Sequence, residues 1–336
     1  MKRVKLSFAR GLEVEFVDRD RGIEQIYRFS ERGTRFPIIV YGPEGCGKSA
    51  WLKQAVEIFK EQDFDVIYVD FMHREFIVHT SIKEVGERLA KVVAEASGAN
   101  ILRLAEEIIS LVRDLLSAWR RKRIAILVDE VFQAIGLDKV EVYVKSLLNL
   151  IEYPPEPYEN MVVIVATSEG LSRWRIGRHL WALTMPMWNM YRKGFEELYN
   201  RILGSKSSFD DVWRLVGGNP RMLSMLLEGM WNANAITKMF VEEKRLTQSF
   251  VNRWRNVFEE AVKDPDTLWR FDAFEDPVKE LIERNLIVYF LRDRDPELWV
   301  DEPPPEKDPE LGIGRYVAWQ IPLHREAVRK VLEMYR

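Results

Sequence analysis

The stretch PIIVYGPEGCGKSAWLKQAVEIF, residues 37–59, decides how the rest of the chain is read. Its first part, Pro37 to Gly42, is a short apolar run rich in β-branched residues and reads as a buried strand. From Ser49 to Gln62 apolar residues recur at helical spacing, which predicts an amphipathic helix. Between strand and helix, Gly42-Pro43-Glu44-Gly45-Cys46-Gly47-Lys48-Ser49 fulfils the pattern G-x-x-x-x-G-K-[ST] in full. Glycines let backbone N–H groups approach phosphate oxygens with no Cβ in the way, and the helix that follows adds the positive end of its dipole. The pattern predicts a phosphate-binding loop in which Pro43, Glu44, Gly45, Cys46, Gly47 and Ala50 line the phosphates. Lys48 reaches the β- and γ-phosphates, and the Ser49 hydroxyl holds Mg²⁺. Cys46 reads as a small residue that fits the turn.

Working outward, residues 22–33 predict a helix that stops at Gly33. Asp65 to Asp70, residues 124–130 and residues 161–168 read as three more buried strands, and 181–188 as a shorter fifth, confined to an edge or its end by Pro186. Residues 81–119 predict two helices broken near Gly98, and 139–151 another. Continuously apolar strands separated by helices specify a parallel sheet covered on both faces. The alternation stops near residue 190. Helices alone are predicted from Arg192 to Lys263, interrupted by a tight turn at Gly217-Gly218-Asn219-Pro220. The rest predicts a helix over 278–285, strands at 286–293 and 316–322 and a final helix over 323–335. That order suits a small winged-helix domain. The expected organisation is a core over 1–190, a helical lid over 191–265 and a winged-helix-like domain over 266–336.

Composition narrows the class. With 336 residues, 47% of them apolar, the chain can build more than one core. Its 31% charged residues mix both signs, and the net charge is −3, so the whole chain is no obvious polyanion binder. The single cysteine forbids an intrachain disulfide, and no apolar run has the length of a membrane span; both fit a reducing, cytoplasmic setting. The four histidines lie apart without zinc-ligand spacing.

The run Ile124 to Glu130 ends a buried strand in two acids. A carboxylate there can hold the metal, directly or through water, which makes Asp129 the candidate metal ligand with Ser49. A neighbouring Glu can orient and deprotonate water, so Glu130 is the candidate general base. The strand at 66–70 lies in sequence between the loop and Asp129. This layout is similar to the P-loop division with sheet order 5-1-4-3-2, in which Glu is the hydrolytic base.

With these residues in place the chain resembles the archaeal ATPase family, within the signal-transduction (STAND) NTPases and related to the AAA+ proteins. Phe16-Val17-Asp18-Arg19-Asp20 with Ile23 resembles the family's lead-in F-x-x-R-[ED]-x-E-[LI], with Gly22 where an acid is usual. The resemblance implies that Arg19 lies near the adenine. Thr167, with Ser168, stands where the family keeps a polar sensor of the γ-phosphate or attacking water. Gly177-Arg178 resembles the family's G-R, which implies an Arg on the phosphates, with Arg173 and Arg175 competing for the role. Gly217 to Arg221 resembles the G-G-x-P turn of the lid, whose Pro, here Pro220, packs near adenine and ribose.

The expected activity is ATP hydrolysis to ADP and phosphate with Mg²⁺, with nucleotide state driving domain rearrangement or assembly. The alternatives are a slow nucleotide-dependent switch that holds ADP and a DNA-associated ATPase. Residues 275–336 carry 10 Lys or Arg and 14 Asp or Glu, a balance of −4, which favours a protein partner or self-assembly over nucleic acid.

Overall fold

The computed structural model describes residues 2–80, 83–95, 101–118, 123–136, 138–168, 170, 174, 176–202 and 207–335. The chain divides into two compact units. The first takes residues up to Val4, Asp20–Tyr41 and Lys48–Pro186; the second takes Lys5–Arg19, Gly42–Gly47 and Met187–Arg336.

The elements run, in chain order, β1 (Lys5–Ala9), β2 (Leu12–Glu15), α1 (Asp20–Arg32), β3 (Ile38–Tyr41), α2 (Lys48–Glu61), β4 (Asp65–Asp70) and β5 (Glu75–His79). Next come α3 (Lys83–Glu95), α4 (Ile101–Ala118), β6 (Arg123–Asp129), α5 (Val131–Ile135), α6 (Val140–Glu152), β7 (Asn160–Thr167) and β8 (Leu183–Pro186). The helices α7 (Arg192–Asn200), α8 (Phe209–Val216), α9 (Pro220–Glu228), α10 (Ala233–Glu243), α11 (Gln248–Arg253) and α12 (Arg255–Ala261) follow. A 3-10 turn (Pro265–Arg270), α13 (Val278–Glu283), β9 (Ile287–Tyr289), β10 (Val317–Trp319) and α14 (Pro322–Met334) complete the chain.

The first unit is built on one sheet of order β5-β4-β6-β7-β3-β8. Five of its strands are parallel, and β8 pairs Tyr41 with Pro186 at an edge, where a residue without an N–H is tolerated. The five-stranded parallel sheet expected from the sequence is corrected here: the sheet has six strands and is mixed, because β5 adds antiparallel to β4. The turn between them is short, and the half-exposed run EFIVH lacks the continuous apolar character that marks the buried strands. By contrast β7 is buried at every position and β6 at all but its first. Such strands shed water on both faces, which in this unit needs the flanking helices; α4, α5 and α6 supply Ile108, Leu111, Val112, Phe132, Val144 and Leu147 to the core beneath β6 and β7.

The second unit holds the β1–β2 and β9–β10 hairpins and the helices α7 to α14. The glycine pair at 217–218 works as helix punctuation. Gly217 closes α8 in the left-handed region (φ 59°), Gly218 stays there (φ 79°), and the Asn219 side chain then caps α9 by accepting from Met222 N–H, with Pro220 in the first turn. Asp266 caps the β10 approach by accepting from the amides of Arg315, Tyr316 and Val317. Among the described residues no helix is long and apolar enough to cross a membrane.

Candidate nucleotide-binding site

The carboxyl ends of β4, β6 and β7 in the first unit bring the acidic residues together. Parallel register sets Asp70 beside Asp129, and Asp129 beside Ala166. Asp129 is fully buried. Its carboxyl is pushed up to about 7, first by loss of water and then by the like charges of Glu130 and Asp70; a hydrogen bond from Ser49 and the charge of Lys48 act in the opposite direction. Tyr68 Oη lies 3.5 Å from Asp129 Oδ2, and among the described residues Asp129 Oδ1 has no hydrogen-bond partner. A buried carboxylate with an orphaned oxygen beside a serine hydroxyl is an oxygen donor set that fits a hard divalent cation. Asp70 is tied down differently: it accepts from Met72 N–H, His73 N–H and His73 Nδ1, closing the turn before β5.

Glu130 stands at the entrance of α5 in the left-handed region (φ 52°), a backbone state costly for a residue with a Cβ. Both of its carboxylate oxygens accept from Ser168 N–H, at 3.0 and 3.1 Å. Gln133 Nε2 donates to Ser168 Oγ at 2.9 Å. Thr167 ends β7, fully buried, in register with Tyr41, the residue before the glycine loop.

In the second unit, Gly42–Gly47 is enclosed. A Cβ on Gly42 would stand 1.9 Å from Met187 O, and one on Gly45 would stand 2.4 Å from the Arg221 Cβ, so both positions admit only glycine. Asn219 Nδ2 donates to Glu44 O (2.9 Å) and to Asn189 Oδ1 (2.8 Å); Arg221 N–H faces Gly45 O at 3.4 Å. Arg19 is buried and donates through Nη2 to Cys46 O (2.7 Å) and Trp188 O (2.8 Å), and through Nη1 to Asp301 (2.9 Å). Cys46 is buried, with Sγ 3.7 Å from Met187 O.

Of the residues singled out by sequence, Lys48, Ser49, Ala50, Asp129, Glu130 and Thr167 lie in the first unit, and Arg19, Pro43, Glu44, Gly45, Cys46, Gly47 and Pro220 in the second. Arg178 is exposed on the turn before β8, and among the described residues it forms no ion pair with Asp129 or Glu130. Its two competitors, Arg173 and Arg175, lie outside the described residues. Three residues of these networks carry no sequence signal: Asn189, Asp301 and Gln320, whose side chain accepts from Glu44 N–H. Asn219 alone has a local cue, since Asn before Pro at a helix start is a capping pattern.

Residues 16–226 match the model of an ATPase domain found predominantly in Archaea. The chain belongs to this family. The archaeal ATPase domain thus covers both the glycine loop and the Asp129-Glu130 pair and stops within α9, short of Asp301 and Gln320. No curated protein matches the chain. Similar solved structures include DnaA of Aquifex aeolicus bound to AMPPCP, at 13% identity over 80% of this chain and 84% of that one, with a TM-score of 0.39. The replication initiator DnaA bound to AMPPCP and single-stranded DNA aligns at 15% identity over 82% and 86%, TM-score 0.40. The RuvB Holliday junction branch migration motor of Thermotoga maritima aligns at 12% identity over 66% and 65%, TM-score 0.34. These are distant likenesses.

Proposed function

We propose that this archaeal-family ATPase binds ATP with Mg²⁺ and hydrolyses it to ADP and phosphate. The observation that carries the reading is the hydrogen bond from Ser49, which follows the glycine loop in the chain, to Asp129, whose buried second oxygen has no hydrogen-bond partner among the described residues. Ser49 and Asp129 would hold the metal, which when bound supplies positive charge against the phosphate oxygens. Backbone amides of Gly45, Cys46, Gly47 and Lys48, with the Lys48 ammonium, would bind the β- and γ-phosphates. Glu130 accepts the proton of the attacking water; its present hold on Ser168 N–H fixes the carboxylate's position until then. Thr167 and Arg178 are assigned as γ-phosphate contacts, Arg19 and Pro220 as parts of the nucleotide end of the lid. The working division remains 1–190, 191–265 and 266–336, the last winged-helix-like, with nucleotide state driving rearrangement or assembly with a protein partner.

The test is phosphate release by Glu130→Gln. Glutamine keeps an oxygen that accepts from Ser168 N–H but cannot take a proton. ATP binding is expected to stay within about threefold of wild type while turnover falls by about 10²-fold or more. Wild-type turnover in this variant would remove Glu130 from the chemistry.

A further inference from the structure

The matched ATPase domain ends at residue 226, yet the glycine loop is gripped from beyond it. Gln320, buried after β10, accepts from Glu44 N–H at 3.0 Å. Its backbone oxygen accepts from Asn189 Nδ2 (2.8 Å), and Asn189 in turn holds Asn219, which holds Glu44 O. Asp301 reaches the loop through Arg19. Val300 forms an isolated parallel bridge with Met187, and the residues that follow each, Asp301 and Trp188, both hold Arg19, Trp188 through its carbonyl. The two charges are 2.9 Å apart with side chains 3% and 5% exposed.

Peptide planarity turns these contacts into a statement about amides. In a trans peptide the carbonyl of one residue and the N–H of the next point in opposite directions. Arg19 on Cys46 O therefore sets the direction of Gly47 N–H, and Asn219 on Glu44 O sets that of Gly45 N–H. A polyphosphate needs such N–H groups turned toward it and the carbonyls turned away before it arrives, since reorienting them on binding weakens affinity. A buried ion pair is a poor source of stability compared with apolar packing, because both charges must be stripped of water. Arg19 (φ 62°) and Asp301 (φ 63°) also both sit in the left-handed region, which a residue with a Cβ occupies only when its surroundings hold it there. Full neutralisation by Asp301 removes Arg19 as a mere electrostatic attractor and leaves it as a directional clamp.

We propose that Asp301 and Gln320, outside the family's ATPase domain, are positioning residues of the phosphate loop: Asp301, through Arg19 on Cys46 O, presets the Gly47 amide, and the Gln320 side chain, through Glu44 N–H, fixes the Pro43–Glu44 peptide that leads into the loop, for a nucleoside triphosphate. The inference rests on the reading of Gly42–Ser49 as the phosphate site. The test measures MgATP affinity by calorimetry and thermal unfolding on the full chain, for wild type, Asp301→Asn, Gln320→Ala and the double variant Arg19→Met with Asp301→Leu. Asp301→Asn and Gln320→Ala are expected to weaken MgATP binding about tenfold or more while kcat at saturation stays within about threefold. The double variant, which replaces the buried ion pair with apolar side chains, is expected to recover wild-type thermal stability yet bind MgATP as weakly as Asp301→Asn. Affinity that recovers together with stability, or wild-type affinity in Asp301→Asn and Gln320→Ala, overturns the positioning role. Should Asp301→Asn fail to fold, the double variant alone decides. Absence of MgATP binding by the wild type would instead remove the nucleotide reading on which it rests.

Discussion

At the scale of single residues, the role proposed for Asp129 sets function against folding. A carboxyl raised from its ordinary value to about 7 keeps its proton in the folded chain where the unfolded chain has lost it. Between about pH 4 and 7 the folded state binds more protons, so apo stability falls as pH rises through that window. Asp129→Asn removes the penalty. Its apo form is expected to be more stable than wild type at pH 8, by about 1–3 kcal/mol, and to show a flatter dependence of melting temperature on pH. The same variant is expected to gain no thermal stabilisation from Mg²⁺ with ATP. Equal or lower apo stability across the range would count against a strained, metal-seeking carboxylate. Residues of this kind are legible in sequence because motif spacing states their chemistry: Ser49 follows Lys48 in the loop and Asp129 ends an apolar strand. Asp301 is not legible. It is one acid in an acid-rich loop, and its partner Arg19 lies 282 positions away.

At the scale of elements, the buried parallel strands were readable from continuous β-branched runs, and the Gly217 to Pro220 turn from its punctuation. The β5 strand and the β1–β2 hairpin were not, because half-exposed strands carry a diluted pattern and β1 takes its support from α9, through Ser224 donating to Phe8 O and Arg10 N–H donating to Glu228. The α9 cap yields a prediction. Asn219→Ala removes the acceptor for Met222 N–H and two donors inside the second unit, so it is expected to cost about 2–3 kcal/mol by urea unfolding, more than an ordinary cap. Loss below about 0.5 kcal/mol would show that the network is slack. In α14, His324 is buried against the Phe240 ring, and among the described residues its Nδ1 has no hydrogen-bond partner. Burial, then the Lys244 charge, pushes its imidazole down to about 3, against a hydrogen bond with the Leu286 backbone. Below pH 6.5 the unfolded chain binds a proton that the folded chain refuses, so stability is lost as pH falls from 6.5 toward 3. His324→Gln is expected to flatten the acid side of the urea-midpoint profile by up to one proton; an unchanged slope would mean His324 does not govern it.

At the scale of the whole molecule, sequence order hides the partition. Gly42–Gly47 belongs with Lys5–Arg19 and the chain beyond Met187, whereas the Lys48 and Ser49 that complete its motif belong with the sheet. The change of element type near residue 190 was visible as a change in hydrophobic period, but no pattern announces that a six-residue loop joins the later part of the chain. The family match likewise stops at 226, while Gln320 still reaches Glu44. The proposed function stands or falls with the binding of ATP and magnesium at this loop. The most direct measurement is calorimetric titration of the full chain with ATP, with and without Mg²⁺, alongside Lys48→Ala. The wild type is expected to show one saturable site for MgATP, tighter with Mg²⁺ than without, and at least about 10²-fold weaker in Lys48→Ala. Binding that is absent in the wild type, or that Lys48→Ala retains undiminished, would contradict it.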